Sequence, residues 1–229
     1  VQPFTDINDY NNNKNLRPKG LFSHSDQIQQ WQTSIPQNRT IAKGWAGRMA
    51  DIMHTVNHNQ HISMNISLSG RNVFQAGDSV VEYAIKNSGV EGIRQIEGGK
   101  RGMLNRIRDN AVDNILSQEY SNVLESTYAS LNQNTIQAYS DFSHSVKKIE
   151  PFVTKFSDST LSKDMEMIAK VMATRNDLQM KKQTFFVNYG GWDHHSNLIA
   201  KQNNQVEVVD NAIGEFYSAL TEMGLQDKV

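Results

Sequence analysis

The sequence has 229 residues, with 23 basic and 24 acidic side chains, a formal net charge of −1 and a mean hydropathy of −0.59. The basic residues are scattered, which excludes the positive stripe typical of a nucleic-acid-binding protein, and no run approaches the ~18 apolar residues that span a membrane. We therefore expect no nucleic-acid partner and no membrane insertion. The absence of cysteine excludes disulfides and thiolate sites, so any metal must be held by histidines and carboxylates.

The first 20 residues are predicted to form a loop, and the first helix follows it. Ser23 and Ser25 offer cap oxygens ahead of Ile28 and Trp31, which indicates a short helix beginning near one of these serines. Pro36 is expected to end that helix, because proline cannot donate a backbone hydrogen bond.

A second helix is predicted from Gly44 to about Asn57, where apolar residues recur at three- and four-residue spacing. The period then changes. Apolar and polar residues alternate from Ile62 to Leu68, which predicts a half-buried strand that ends at Gly70.

Helical periodicity continues from about Met103 to Ile149, as one very long helix or as a helical hairpin, and again over about 160–182. The apolar run 184–189 predicts a buried strand. Ser196 is then expected to cap a last helix that ends at Gly224. This order of elements is typical of α/β folds, in which ligands bind outside the carboxyl ends of the strands.

The strongest chemical signal follows the predicted strand 184–189. Gly190 and Gly191 break the strand, and Asp193, His194 and His195 come directly afterwards. A carboxylate with imidazoles suits Zn²⁺ or Mn²⁺ better than Ca²⁺. The alternative is structural: Asp193 would cap the following helix and the histidines would be exposed turn residues.

Two further candidates precede the first predicted strand. Ser23, followed by His24, is expected at a helix N-terminus, where backbone N–H groups favour an attacking oxygen or a bound anion. The alternative, an ordinary N-cap with an exposed His24, is favoured on sequence grounds. Arg48 could clamp an oxyanion through its guanidinium, or it could be a solvated helix residue.

Two further patterns are weaker signals of a binding site. His54, His58 and His61 would share one face of a continuous helix, but the helix is expected to end near Asn57, which disfavours a metal site there. The Gly98-Gly99-Lys100 segment is only superficially like a phosphate-binding loop, because Arg101 stands where serine or threonine is required.

Several of these segments together resemble the bacterial DUF1501 family. They are the stretch from Gly20 to Trp31, Gly44-Trp45-Ala46-Gly47-Arg48, the strand from Ile62 to Gly70, Phe186 to His195, and the helix end from Phe216 to Leu225. The segments occur in the family's order over nearly the whole chain. The family is in turn similar to the sulfatase and alkaline phosphatase superfamily.

The resemblance implies an exported, periplasmic or secreted protein with an α/β fold. The fold would be an alkaline phosphatase-like, mostly parallel sheet flanked by helices, forming a single domain over residues 1–229 with a helical insertion over 98–182. The resemblance also implies a dinuclear metal site that hydrolyses phosphate or sulfate esters. Family members usually read Gly-Gly-Phe-Asp-Thr-His at the strand end, which maps metal ligands onto Asp193 and His195 and leaves His194 as a bystander or an extra ligand.

The resemblance also maps the family's Ser-His pair onto Ser23 and His24, with Ser23 as the candidate nucleophile. Other family segments are expected before Val1 and after Val229, so the sheet in this chain is expected to be incomplete, with apolar surface exposed and little activity alone. The last residues, Asp227–Val229, are predicted to start a strand.

A different class of function stays open: a non-catalytic exported envelope protein that binds a partner or a polysaccharide through its helical arm, residues 103–182.

Overall fold

The computed structural model describes residues 6–17, 20, 23–36, 43–59, 61–90 and 103–229. The chain forms two compact units, one made of residues 1–84 and 181–186 and the other of 85–180 and 187–229. The Gly98-Gly99-Lys100 segment and the predicted start of the insertion at residue 98 lie outside the described residues.

The helices of the first unit are α1 (Ile7–Asn12), α2 (His24–Thr33) and α3 (Trp45–Met53), and single 3₁₀ turns follow α1 at Lys14–Leu16 and α3 at His54–Val56. The prediction of a loop over the first 20 residues is wrong for α1. The Asp6 carboxylate accepts hydrogen bonds from the backbone N–H groups of Asn8 and Asp9, both at 2.8 Å, and so caps the N-terminus of this short helix. Helix α2 confirms the prediction: it begins after Ser23 and ends ahead of Pro36.

Three short parallel strands form the sheet of the first unit: β1 (Asn65–Ser67), β2 (Tyr83–Ala84) and β3 (Thr184–Phe186), in the order β2-β1-β3. The sequence did not indicate β2. Strand β1 is shorter than predicted and buried at every position, because it is the central strand of the three. Strand β3 is only half-buried, so the prediction of a buried strand is wrong.

The polar side chain of Asn65 in β1 takes part in a hydrogen-bond network with Gln75 and Thr184. The Gln75 side-chain amide donates to the Ile66 carbonyl at 3.1 Å and to Thr184 Oγ1 at 3.2 Å, and Thr184 Oγ1 donates to Asn65 Oδ1 at 2.7 Å. Asn65 in turn donates to the Gln75 carbonyl at 2.8 Å. This network explains why an alternating sequence forms a strand buried on both faces.

Helix α3 packs closely against the loop that follows β1. The backbone N–H of Gly47 donates to the Phe74 carbonyl at 3.1 Å. A Cβ atom at Gly47 would lie 2.0 Å from the Ala76 carbonyl oxygen, so only glycine fits this position. From the same helix, Asp51 accepts hydrogen bonds from three successive backbone N–H groups, those of residues 78–80.

The second unit contains α4 (Met103–Leu116), α5 (Val123–Lys147), α6 (Thr160–Ala173) and α7 (Leu198–Glu222). Helix α4 ends at Leu116, α5 begins at Val123, and the two helices contact each other. The predicted helical region from Met103 to Ile149 is therefore a hairpin of two helices rather than one very long helix. Helix α6 ends well before residue 182. Its last turn is followed by irregular backbone in which Leu178 and Met180 are buried and Gln179 has a positive φ of 53°.

Helix α7 packs along α6, and the Ala212, Ala219 and Leu220 side chains on it are buried. The prediction that Ser196 caps α7 is wrong: the N-cap is Asn197, whose φ of 51° is left-handed and whose side chain makes no cap hydrogen bond. The helix ends before Gly224, as predicted, and Gly224 has a φ of 65°. No strand is described over 227–229.

The described residues thus form a mixed fold with seven α-helices and a small, open, parallel three-stranded sheet. Long, strongly apolar helices of the kind that cross a membrane are not found in the part of the chain that the structure describes.

Candidate functional site

The segment 189–195, in the second unit, is a turn held by its own hydrogen bonds. The Trp192 indole N–H donates to the Tyr189 carbonyl at 2.7 Å, and the two rings pack edge to face with centroids 5.9 Å apart. The His194 backbone N–H donates to the Trp192 carbonyl at 3.1 Å. The turn therefore presents the next residues in a defined conformation.

Two glycines and a helix side chain complete this turn. Gly191 has a φ of 89°, a conformation that other residues rarely adopt. The Gln205 amide of α7 donates to the Gly190 carbonyl at 3.0 Å. Sequence reasoning missed Gln205, because nothing in its neighbourhood indicates a contact with the glycine pair.

Asp193 and His195 form a pair on the surface of this turn. His195 Nε2 lies 3.3 Å from Asp193 Oδ2, and the two side chains are 87% and 66% exposed, respectively. Asp193 does not cap α7, whose N-cap is Asn197, so the helix-cap interpretation fails for Asp193. Both side chains are thus free of a helix-capping role and open to solvent.

The separation of the two donor atoms suits a metal ion. Two ligand atoms that bind a tetrahedral zinc ion at about 2.0–2.1 Å are about 3.3 Å apart. The observed distance between His195 Nε2 and Asp193 Oδ2 is 3.3 Å. The same distance also suits an ion pair between an aspartate and a protonated histidine.

His194 is placed differently from its neighbours. Its Nε2 atom is enclosed and has no hydrogen-bond partner among the described residues. Within the described ranges, no three histidine or acidic side chains come close enough together to hold a metal ion. This placement favours the bystander interpretation of His194.

Ser23 is the N-cap of α2, and His24 is the first residue of that helix. Ser23 Oγ accepts a hydrogen bond from the Asp26 backbone N–H at 3.3 Å and lies 3.0 Å from Ser25 Oγ. The His24 side chain is exposed. The hydroxyl therefore sits at a helix N-terminus, as predicted, in the geometry of an ordinary cap.

Arg48 is engaged by backbone carbonyls. Its Nη1 donates to the Lys43 carbonyl at 3.0 Å and its Nη2 to the Thr33 carbonyl at 2.9 Å, which ties the start of α3 to the end of α2. These contacts favour a structural role. Ser23, His24 and Arg48 belong to the first unit, whereas Asp193, His194 and His195 belong to the second.

A family model described as "Protein of unknown function (DUF1501)" matches residues 8–229. Neither a curated protein nor a solved structure shows significant similarity to the chain.

Proposed function

Because the chain belongs to the DUF1501 family, whose description assigns no function, we propose a function from the chain's own side chains. The proposal is metal-dependent hydrolysis of a phosphate or sulfate ester, with Asp193 and His195 as metal ligands. The observation that carries it is the 3.3 Å separation of the Asp193 and His195 donor atoms on an exposed turn.

The donor set fits a divalent transition metal. One carboxylate oxygen and one imidazole nitrogen suit Zn²⁺ or Mn²⁺, and both side chains are accessible to an incoming ion. The Trp192 and Gln205 hydrogen bonds hold the backbone of this turn, which lowers the entropic cost of bringing two ligands together. Two ligands are only part of a coordination sphere, which leaves positions for water and substrate oxygen.

When bound, a divalent ion would supply Lewis-acid chemistry and neutralise the charge that develops on the ester. Ser23 is the proposed nucleophile. Its hydroxyl accepts from the Asp26 backbone N–H at the N-terminus of α2, where the helix dipole favours negative charge on oxygen. Arg48 stays the candidate for holding an ester oxyanion, through guanidinium donors other than those that bind the Lys43 and Thr33 carbonyls.

The choice of phosphate and sulfate esters as substrate class rests on the similarity of the family motifs to the sulfatase and alkaline phosphatase superfamily. That similarity also supports an exported location, periplasmic or secreted. Both statements are part of the proposal.

Hydrolysis of aryl phosphate and aryl sulfate by the intact protein, measured while Zn²⁺ or Mn²⁺ is added, tests the proposal, because this chain alone is expected to have little activity. We expect metal-stimulated activity that falls by at least about 100-fold in Asp193→Ala and in Ser23→Ala. Ser143→Ala is the matched control, because Ser143-His144 repeats the same dipeptide within α5. Unchanged activity in Asp193→Ala or Ser23→Ala would show that the assignment is wrong.

A second candidate function is supported by the helical arm. Large apolar side chains are exposed on α4 and α5, where Leu124, Tyr128 and Leu131 recur at helical spacing. A non-catalytic exported protein could use this arm to bind a partner or a polysaccharide. Elemental analysis of the purified protein and of its Asp193→Ala/His195→Ala variant separates the two proposals. Bound transition metal that the variant loses supports the hydrolase, and a metal content that the variant does not change supports the binding protein.

A further inference from the structure

Trp31, in the last turn of α2, is the most exposed of the large apolar residues in the described ranges. It is 85% exposed, although folding usually buries much of a tryptophan side chain. An indole ring in solvent adds little to the stability of the fold. Tryptophan is enriched at binding surfaces, because one rigid ring supplies a large contact area.

Two cavities are lined by Trp31, one of about 340 Å³ and one of about 300 Å³. Gln27 lines both as well, so the cavities are neighbours on α2. The other lining residues come from α2 and the turn that follows it: Gln30, Ser34 and Pro36 for the first cavity, and His24, Ile28 and Gln32 for the second. A chain-like ligand can therefore extend from one cavity into the other past Trp31.

Helix α2 is held in place by contacts on the side of the helix that faces the first unit. Gln32 Oε1 accepts hydrogen bonds from the backbone N–H groups of Val73 and Phe74 at 3.1 and 3.2 Å. The Thr33 carbonyl accepts from Arg48 Nη2 at 2.9 Å. The backbone that carries the exposed ring is thus fixed before a ligand arrives, which lowers the entropic cost of binding.

The turn that follows α2 is also defined by hydrogen bonds. The Ser34 backbone N–H donates to the Gln30 carbonyl at 2.9 Å, and Ser34 has a left-handed φ of 57°. The Ile35 N–H donates to Thr33 Oγ1 at 3.2 Å. The turn therefore holds Ser34 in the wall of the first cavity.

The lining of the two cavities is polar but carries little charge. Among the described residues that line them there is no aspartate, glutamate, lysine or arginine, and His24 is the one titratable side chain. The lack of cations disfavours nucleic acids and phosphorylated ligands. Amide and hydroxyl side chains around the ring disfavour a purely apolar ligand such as a lipid chain. The surface therefore suits a ligand that is neutral, polar and able to cover an aromatic ring.

We infer that Trp31 is the stacking platform of a binding site for a neutral carbohydrate chain. One face of a pyranose ring presents C–H groups with partial positive charge, and the face of an indole ring carries partial negative charge. A sugar stacked on Trp31 would place its hydroxyl groups at the rim of the ring, among polar side chains and water. The stacked ring supplies the main contact.

This site is distinct from the Asp193–His195 pair and from the helical arm. Trp31 lies at the end of α2 that is opposite to Ser23, the proposed nucleophile. The inference does not depend on ester hydrolysis, since its test measures binding and no reaction.

The test titrates the full chain with maltohexaose, cellohexaose and xylohexaose by isothermal titration calorimetry. We expect at least one of these neutral saccharides to bind with a Kd below about 1 mM. Trp31→Ala should weaken that binding by at least about tenfold, whereas Trp31→Tyr, which keeps an aromatic ring, should stay within about threefold of the wild type.

Tyr128→Ala is the matched control, because Tyr128 is an exposed aromatic residue on α5 of the helical arm. This variant should change saccharide affinity by less than about twofold. An equal or larger loss in Tyr128→Ala would place the saccharide on the arm and overturn the inference. Failure of all three saccharides to bind, or unchanged binding in Trp31→Ala, would overturn it as well.

Tryptophan fluorescence keeps the test decisive if Trp31→Ala fails to fold, which circular dichroism would reveal. Saccharide binding should change the emission of the wild type but not that of Trp31→Tyr, in which Trp45 and Trp192 remain. An equal change in both proteins would contradict stacking on Trp31. Sedimentation equilibrium checks the other occupant of this surface: a dimer that Trp31→Ala abolishes would show that a second copy of the chain covers the ring.

Discussion

The Asn87 side-chain amide donates a hydrogen bond to the Asp164 carboxylate at 3.0 Å, and so links the turn after residue 85 to helix α6. Asp164 is only 8% exposed. Its burial raises the pKa of the carboxyl, and the Asn87 hydrogen bond, which lowers it, offsets only part of this effect. The folded protein therefore holds a proton on Asp164 more tightly than the unfolded chain does.

Asp164→Asn is expected to increase the free energy of unfolding at pH 7. A raised pKa in the folded state contributes stability that is present below the pKa of the unfolded chain, about 3.8. This stability is lost as the pH rises through the pKa of the folded protein. Asparagine removes the buried charge and still accepts the Asn87 hydrogen bond. Urea denaturation between pH 3.5 and pH 8 measures this: the gain should shrink toward acid pH, and a loss of stability at pH 7 would contradict it.

Glu222→Gln is expected to have the opposite effect on stability at pH 7, where it should lower the melting temperature. Hydrogen bonds from the Val153 and Thr154 backbone N–H groups, at 2.9 and 3.1 Å, lower the pKa of Glu222, against a smaller opposing effect of burial. A lowered pKa in the folded state contributes stability that is present above the pKa of the unfolded chain, about 4.5. This stability is lost as the pH falls through the pKa of the folded protein. Thermal denaturation should show a lower melting temperature for Glu222→Gln at pH 7, and this difference should vanish in acid.

The control for Glu222→Gln is Glu207→Gln, because Glu207 is exposed on the same helix and loses the same charge. An equal change in melting temperature for the two variants would mean that the hydrogen bonds to Val153 and Thr154 are not the cause.

Gly47→Ala should destabilise the first unit by about 1–3 kcal/mol, the usual cost of overpacking. The added Cβ would lie 2.0 Å from the Ala76 carbonyl oxygen, so the backbone of α3 or of the loop around Ala76 must move. Gly214→Ala is the matched control, because Gly214 lies within α7 and its Cβ would meet no atom within 4 Å. This control should gain about 0.5–1 kcal/mol from helix propensity. Urea denaturation measures both, and a stable Gly47→Ala variant would show that α3 packs less closely than described.

Gln75→Met should cost about 1–3 kcal/mol, because it removes the side-chain donor and acceptor and leaves buried polar partners unsatisfied. The Ile66 carbonyl and Thr184 Oγ1 lose the Gln75 donor. Amide hydrogen exchange in β1 and β3 should become faster. Exchange rates that stay the same as in the wild type would mean that the sheet does not depend on this network.

The helices with strong apolar periodicity could be predicted from the sequence, since periodicity and capping residues are local signals. Helix α2 is an example: Ser23 caps it and it ends ahead of Pro36. The strands were harder. Strand β1 carries the polar residue Asn65, and its burial depends on hydrogen bonds with Gln75 and Thr184, which the sequence does not identify as partners.

The candidate site was predictable only in part. The glycine pair and the ligand-type residues Asp193 and His195 are local features, and their proximity follows from their position on one turn. The Gln205 contact with Gly190 and the Arg48 contact with the Thr33 carbonyl join residues 15 positions apart, and no periodic pattern encodes them. The Arg48 guanidinium can bind either an anion or backbone carbonyl oxygens. Only the structure shows that it binds the Lys43 and Thr33 carbonyls.

The binding of Zn²⁺ by Asp193 and His195 is the most direct test of the proposed function. Isothermal titration calorimetry of the full chain measures this binding. We expect Zn²⁺ binding that weakens by at least about tenfold in His195→Gln and in Asp193→Asn, while His144→Gln, an exposed histidine on α5, leaves it unchanged. Zn²⁺ affinity that is the same in all three variants and in the parent would contradict the assignment of Asp193 and His195 as metal ligands.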